Sequence, residues 1–350
     1  MRQRSAPGAA GFSTKRLRLG EAVIEKSIML VSFVSLAVIA LICIFVFREA
    51  AGVFAPRAVA GVAAPAQEME TYGDDPADTP LESATPLNRG SESQAHDGAA
   101  SLLGLEWQPV SQQPRYGILP LLIGSFKVAL IAMLIGGPLG VLAALFTTTF
   151  AAGWVRETVK PVIEILAGFP SVVIGFFALI VLASIMQNLF GYQYRLNALV
   201  GGVALSLAVI PTIFTLTEDA LQSVPRSYVE ASLALGAQKW ETAILVVLPA
   251  ATPGIFAAVL LGLGRAIGET MIVLMATGNA ALLSMNPIEP VRTMSATIGA
   301  EMAEVVFGDF HYSALFFIGV VLFAVSFAIN GIAETFVRGL LMRRFRGASA

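Results

Sequence analysis

Charge is scarce in this chain. Of its 350 residues 13% are charged and 56% are apolar, and the mean hydropathy is +0.76. Soluble domains carry about 25% charged residues, so this sequence has too few to cover a surface facing water. Cysteine is scarcer: Cys43 stands alone inside an apolar run, which excludes an intrachain disulfide and a cysteine-built metal site. The two histidines, His96 and His311, are far apart in sequence, so no metal site is expected. No nucleophile lies beside a base, and no paired carboxylates or cofactor motif appear. Gly262-x-Gly264-x-x-x-Gly268 is not a phosphate-binding loop, because it lacks the Lys-Ser/Thr ending and sits in an apolar run with no strand before it. No catalytic residue, metal or cofactor is therefore expected. The net charge of −2, with basic residues scattered or terminal, gives nucleic acid no footing.

Long apolar runs are abundant. Crossing roughly 30 Å of hydrocarbon takes about 20 helical residues, and six runs qualify, at about 28–47, 118–147, 162–186, 196–217, 254–277 and 312–337. The first is too long for the apolar core of a signal peptide, and no cleavage-type small residues follow closely, so it is expected to be an anchor. Arg2, Arg4, Lys15, Arg16, Arg18 and Lys26 precede it, and Arg338, Arg343, Arg344 and Arg346 follow the last run. Basic flanks stay in the cytoplasm. Six spans place both termini there, together with Arg156, Lys160, Arg226 and Lys239 of the connecting loops. The expected organisation is a basic tail over 1–27, a first transmembrane helix over 28–47, an extracytoplasmic loop over 48–116, a membrane domain over 117–338 containing a polar loop at 218–249, and a tail over 339–350. The 48–116 segment holds ten acidic residues against Arg48, Arg57, Arg89 and Arg115. Its few large apolar side chains cannot offset the entropy of ordering it, so it is expected to be mostly disordered; a docking surface for an external partner is the other reading.

Residues 230–249, EASLALGAQKWETAILVVLP, interrupt the apolar pattern. Glu230-Ala231, Gly236 and Leu248-Pro249 carry the spacing of the loop by which ABC importer permeases dock their ATPase. The local reading is a short helix over 227–237 with Glu230 near its N-terminus, a turn at Gly236, and a second short helix over 238–247 that Pro249 ends. Residues 115–338 resemble the membrane domain of a type I ABC importer permease. GRAIGET within 262–279, RTMSATIGAEMAE at 292–304 and GFPSVVIGFFALIVL at 168–182 resemble the permeases of the high-affinity phosphate importer, the C-type more than the A-type. The resemblance implies an all-α membrane protein of six transmembrane helices with both termini cytoplasmic. It implies transport of inorganic phosphate alongside an A-type second permease, a dimer of ATP-binding subunits and an extracytoplasmic phosphate-binding protein, with the lipid bilayer as surroundings. ATP hydrolysis would belong to the partner that grips Glu230, Ala231, Gly236, Leu248 and Pro249. Another oxyanion such as sulfate or molybdate, or a signalling scaffold reporting phosphate status, are the alternatives.

Arg265 and Glu269 fall in the fifth run, four apart and so expected on one helix face. An arginine at membrane depth costs about 2.5–3.5 kcal/mol if it faces lipid, so it should face protein or an aqueous path, with Glu269 as its partner. Its planar fork suits an oxyanion. The residues alone leave a transport role and a structural ion pair equally open; the resemblance implies a substrate path. Lesser roles are expected elsewhere: Lys127 snorkelling to the headgroups, Glu164 at the start of the third span, Glu218 and Asp219 solvated, and Glu301 and Glu304 on an outer helix face. Gly264 and Gly268, like Gly136 and Gly140, are expected to allow close helix packing.

Overall fold

The computed structural model describes residues 19–54, 101–111 and 113–336. The basic N-terminal tail before residue 19, most of the acidic loop and the C-terminal tail lie outside the described residues. The chain divides into two compact units, Met1–Arg48 and Glu49–Ala350. Among the described residues six helices are long and apolar enough to cross a membrane, as the six apolar runs predict.

The first unit holds most of α1 (Leu19–Ala51). Its Val31, Phe33 and Leu41 are about two-thirds exposed (68% each for Val31, Phe33 and Leu41), as a helix offered to lipid requires.

The second unit opens with a 3₁₀ turn at Gly52–Phe54 and a two-residue antiparallel hairpin in which Trp107 of β1 (Trp107–Gln108) pairs with Tyr116 of β2 (Arg115–Tyr116). Leu102 and Trp107 are buried. The expectation of a segment without a core is therefore corrected for residues 101–116: one leucine and one tryptophan give this stretch enough apolar surface to dock beside Leu121, Met294 and Leu315.

Helix α2 (Leu119–Thr149) starts with proline in its first turn and runs through Pro138. It packs along α5 (Ala198–Gln222), which Asn197 caps by accepting a hydrogen bond from the Val200 N–H. Lipid tails are as apolar as leucine, so helices in a membrane associate through close packing more than through burial from water. The glycines show it. A Cβ on Gly140 would stand 2.9 Å from Ile213, and one on Gly202 only 2.4 Å from Ile131. In the fifth span Gly254 and Gly262 are tightly packed, a Cβ on them standing 2.5 Å from Ala220 and 2.7 Å from Ile213, whereas Gly268 meets nothing within 4 Å; among the described residues the expected Gly264–Gly268 packing pair is not formed.

The third span starts later than its apolar run. Residues 153–168 form α3 (Gly153–Gly168), an amphipathic helix with no buried residue that carries Glu164 exposed. Phe169 and Pro170 are extended, and α4 (Ser171–Phe190) crosses instead, with one π turn at Ala178–Leu182 and Gly191 closing it at φ +66. The fifth span is also shifted. Helix α7 runs from Lys239 to Gly268, so Pro249 does not end a short helix. The π turn at Ala243–Val247 lies just before Leu248 and Pro249. Beyond α7 come the short α8 (Met271–Ala276), a loop over 277–293, α9 (Met294–Glu301), capped by Thr293 accepting from the Ala296 N–H, and α10 (Phe310–Phe336).

Candidate functional site

The fifth span breaks where the sequence looks continuous. Arg265 occupies the last turn of α7, and Glu269 stands outside the helix with extended backbone, φ −68 and ψ 134. Backbone freed at membrane depth must find partners in the protein, and here the Ser295 hydroxyl donates to the Glu269 carbonyl at 2.6 Å. Thr270 packs so closely on Gly299 that a Cβ there would stand 2.6 Å from its Cγ2. The break is held from α9, about 26 residues away along the chain.

That geometry corrects the expected Arg265–Glu269 pair. Four residues apart on one helix they would share a face, but Glu269 is not on the helix. Arg265 Nη1 donates instead to Thr212 Oγ1 at 2.7 Å, and Glu269 Oε1 accepts from the Thr270 N–H at 3.2 Å. Thr212 lies near the middle of α5, so the guanidinium sits at mid-depth of the bundle. It is exposed, and among the described residues no carboxylate pairs with it. A hydroxyl fixes its position without neutralising it, which leaves a charged donor fork facing open space.

At one end of the bundle, α6 (Arg226–Ala234) and the start of α7 form a protruding helix–turn–helix. Glu230 and Ala231 are exposed in the body of α6, Glu230 at its fifth position rather than at its N-terminus. Gly236 makes the turn at φ +91, which glycine adopts without steric cost. Gln238 and Glu241 start α7, the Glu241 carboxylate accepting from the Gln238 N–H at 2.7 Å. The Ser232 and Thr242 hydroxyls meet at 2.9 Å and tie the two helices together. Leu235 is 90% exposed and Tyr228 and Trp240 are more than half exposed, so the loop offers apolar surface away from its own bundle. Pro249 is exposed and Leu248 partly buried, against the cluster around Phe214 and Leu221. Glu230, Ala231 and Gly236 thus share one protrusion, whereas Leu248 and Pro249 stand three turns along α7 at its base.

Several polar residues have partners that sequence reasoning did not assign. Glu218 is not solvated: it is 1% exposed and takes Arg156 and Lys160 of α3, each at 3.3 Å. Lys127 does not snorkel but is buried, donating to the Ser284 and Asn286 carbonyls at 2.9 and 3.0 Å. Outside the spans, the nearby Glu289 carboxyl is held below its ordinary value chiefly by the Ser284 hydroxyl, which outweighs an opposing effect of burial, with lesser help from Asn286 and Lys127. Glu301 is 13% exposed at the hairpin end, meeting Arg292 at 2.6 Å and His311 at 2.9 Å, and accepting from Trp107 Nε1 at 3.2 Å. Burial pushes its carboxyl up, but His311, Arg292 and Trp107 together outweigh it and hold the group below its ordinary value. The usable signals were present: Arg156 and Lys160 are four apart on an amphipathic helix, and Glu218 is a carboxylate at the end of an apolar run.

Six apolar spans, one of them broken beside an arginine, and an exposed helix–turn–helix at one end of the bundle are the features on which the comparisons with known proteins bear. A family model described as binding-protein-dependent transport system inner membrane component matches residues 136–341. The probable ABC transporter permease protein YqgH of Bacillus subtilis is 38% identical over 226 residues, 65% of this chain and 73% of its own. The phosphate transport system permease protein PstC of Mesorhizobium japonicum is 34% identical over 265 residues, 70% of this chain and 79% of its own. Among solved structures, a chain of the bacterial alginate ABC transporter shares the fold with a TM-score of 0.52 at 14% identity, covering 70% of this chain and 83% of that one.

The chain belongs to the family of binding-protein-dependent transport system inner membrane components. It is a multi-pass inner-membrane subunit of an ABC importer, a transport subunit rather than an enzyme, and its family works with ATP-binding subunits and substrate-binding proteins.

Proposed function

We propose that this permease carries inorganic phosphate and forms half of the path together with a second permease of the A type. Relatives named for phosphate transport match over two-thirds of the chain, and the observation that carries the reading to a residue is Arg265, held at mid-depth by the Thr212 hydroxyl and left unneutralised. A guanidinium donates two parallel hydrogen bonds to a tetrahedral oxyanion. Glu269, just past the helix break, is the second path residue; its carboxylate opposes a fully charged anion and so favours release after capture, as permeation requires.

The 218–249 segment is the coupling loop. Glu230, Ala231 and Gly236 on the protrusion engage a dimer of ATP-binding subunits, and Leu248 and Pro249 seat its base. An outer phosphate-binding protein delivers the anion, and closure of the ATPase dimer moves α6 and α7 to change which side of the path is open. Both termini and the coupling loop lie in the cytoplasm and the 48–116 segment outside, which the basic flanks of the first and last spans support.

The test is radiolabelled phosphate uptake by proteoliposomes holding the assembled transporter, wild type against Arg265→Gln, with excess sulfate and after checking equal assembly. Uptake that resists sulfate and falls at least tenfold in the variant is expected. Competition by sulfate would overturn the substrate, and normal uptake by the variant would overturn the site.

A further inference from the structure

Behind the protruding loop, between α6 and the ends of α2, α5 and α3, lies a cavity of about 430 Å³. Three cations line it, Arg156, Arg226 and Lys239, and no carboxylate does. Arg156 is paired with Glu218, which sits just beyond the wall. Among the described residues no carboxylate lies in ion-pair range of Arg226 or Lys239, so two uncompensated positive charges converge on the same space. The remaining wall is mixed: Leu221, Val224, Val229, Leu233 and Val247 supply an apolar patch, and Thr148, Thr149, Gln222 and Thr242 are polar.

The cavity's depth narrows the ligand. It is bounded by the last residues of two crossing helices, α2 ending at Thr149 and α5 at Gln222. A 31-residue helix is about 46 Å long against roughly 30 Å of hydrocarbon, so such helix ends reach the headgroup layer. Basic pockets between spans at this level attract anionic headgroups. Two cations that share a cavity with an apolar patch match a ligand with an anionic phosphate at one end and hydrocarbon at the other.

We propose that this cavity binds a phosphate group, supplied by the headgroup of an acidic phospholipid whose glycerol and upper acyl carbons lie along Leu221, Val224 and Val229. The lipid bridges α6 to the ends of α2 and α5 and braces the loop from behind. This does not depend on which solute the permease carries.

The experiment uses the full chain in its assembled transporter in mild detergent, with native mass spectrometry after adding phosphatidylglycerol or phosphatidylcholine of the same acyl chains. Wild type is expected to retain phosphatidylglycerol selectively. Retention should fall at least tenfold in Arg226→Gln/Lys239→Gln and persist in Arg226→Lys/Lys239→Arg, which controls for folding. Val229→Trp, which fills the apolar side without changing charge, should also lose the lipid. If phosphatidylglycerol is not retained but inorganic phosphate raises the melting temperature of wild type and not of the glutamine pair, the phosphate group is confirmed and its source is the free ion. Equal retention by wild type and the glutamine pair overturns the proposal. So does loss of the ATP-binding subunit from that pair with lipid still bound, which would make the two cations a protein contact, and so does the absence of both lipid retention and a phosphate effect.

Discussion

Glu218, fully buried, and Glu301, partly buried, are each held by two basic side chains. Glu218 is clamped by Arg156 and Lys160, whose side chains are 42% and 45% exposed, so solvent screens part of the attraction. Glu218→Ala is expected to cost about 1–3 kcal/mol through unmade hydrogen bonds and an unanchored α3, read as a lower melting temperature of the purified chain. Glu301 answers to pH. Its carboxyl is held below the ordinary carboxylate value by His311, Arg292 and Trp107 acting against burial. A depressed carboxylate contributes stability above its unfolded value and loses it as pH falls through the folded one. The melting-temperature gap between wild type and Glu301→Gln, worth about 1–2 kcal/mol near neutrality, should therefore close as the medium is taken below the ordinary carboxylate range. A gap that stays constant with pH would remove the charged pair from the explanation.

Helix ends carry the next lesson. Gly236 turns the chain at φ +91 with nothing within 4 Å of a would-be Cβ, so Gly236→Ala meets no neighbour and only the backbone resists it. The cost of a left-handed residue, about 1–2 kcal/mol, should raise hydrogen exchange across residues 230–242 by roughly 5–30-fold and leave exchange in α2 and α5 unchanged. The number of spans was legible in the sequence because hydropathy alone sets it, and so was this turn. The third span was drawn too early because Val162 and Ile165 belong to one face of the amphipathic α3 rather than to a crossing helix. The break after Gly268 was invisible for another reason: MIVLMA continues the apolar run, and what stops the helix is Ser295 and the close approach of Gly299, contacts made from another element. Arg265 could be picked out as a charge inside an apolar run. Its partner could not, since Thr212 is 53 residues distant, and Lys127 reaches carbonyls 157 and 159 residues away.

Across the molecule, the proposed orientation has a direct check. With Cys43→Ser as background, an impermeant maleimide should label Ser93→Cys from outside intact cells and Ser349→Cys only after permeabilisation; the reverse pattern would invert the protein in its membrane. The same frame gives α7 a mechanical meaning. It runs without interruption from Lys239, beside the protruding loop, to Gly268, three residues past the arginine. Trp240 and Arg265 are 25 residues apart, about 38 Å along the axis. Between them Gly254 presses on Ala220 of α5, where a Cβ would stand 2.5 Å from its methyl. A rod pressed this closely near its middle can act as a see-saw. A tilt of about 10° around Gly254 would carry Trp240 one way by about 4 Å and Arg265 the other by about 3 Å, so a push at the loop would arrive at the guanidinium as a swing in the opposite direction.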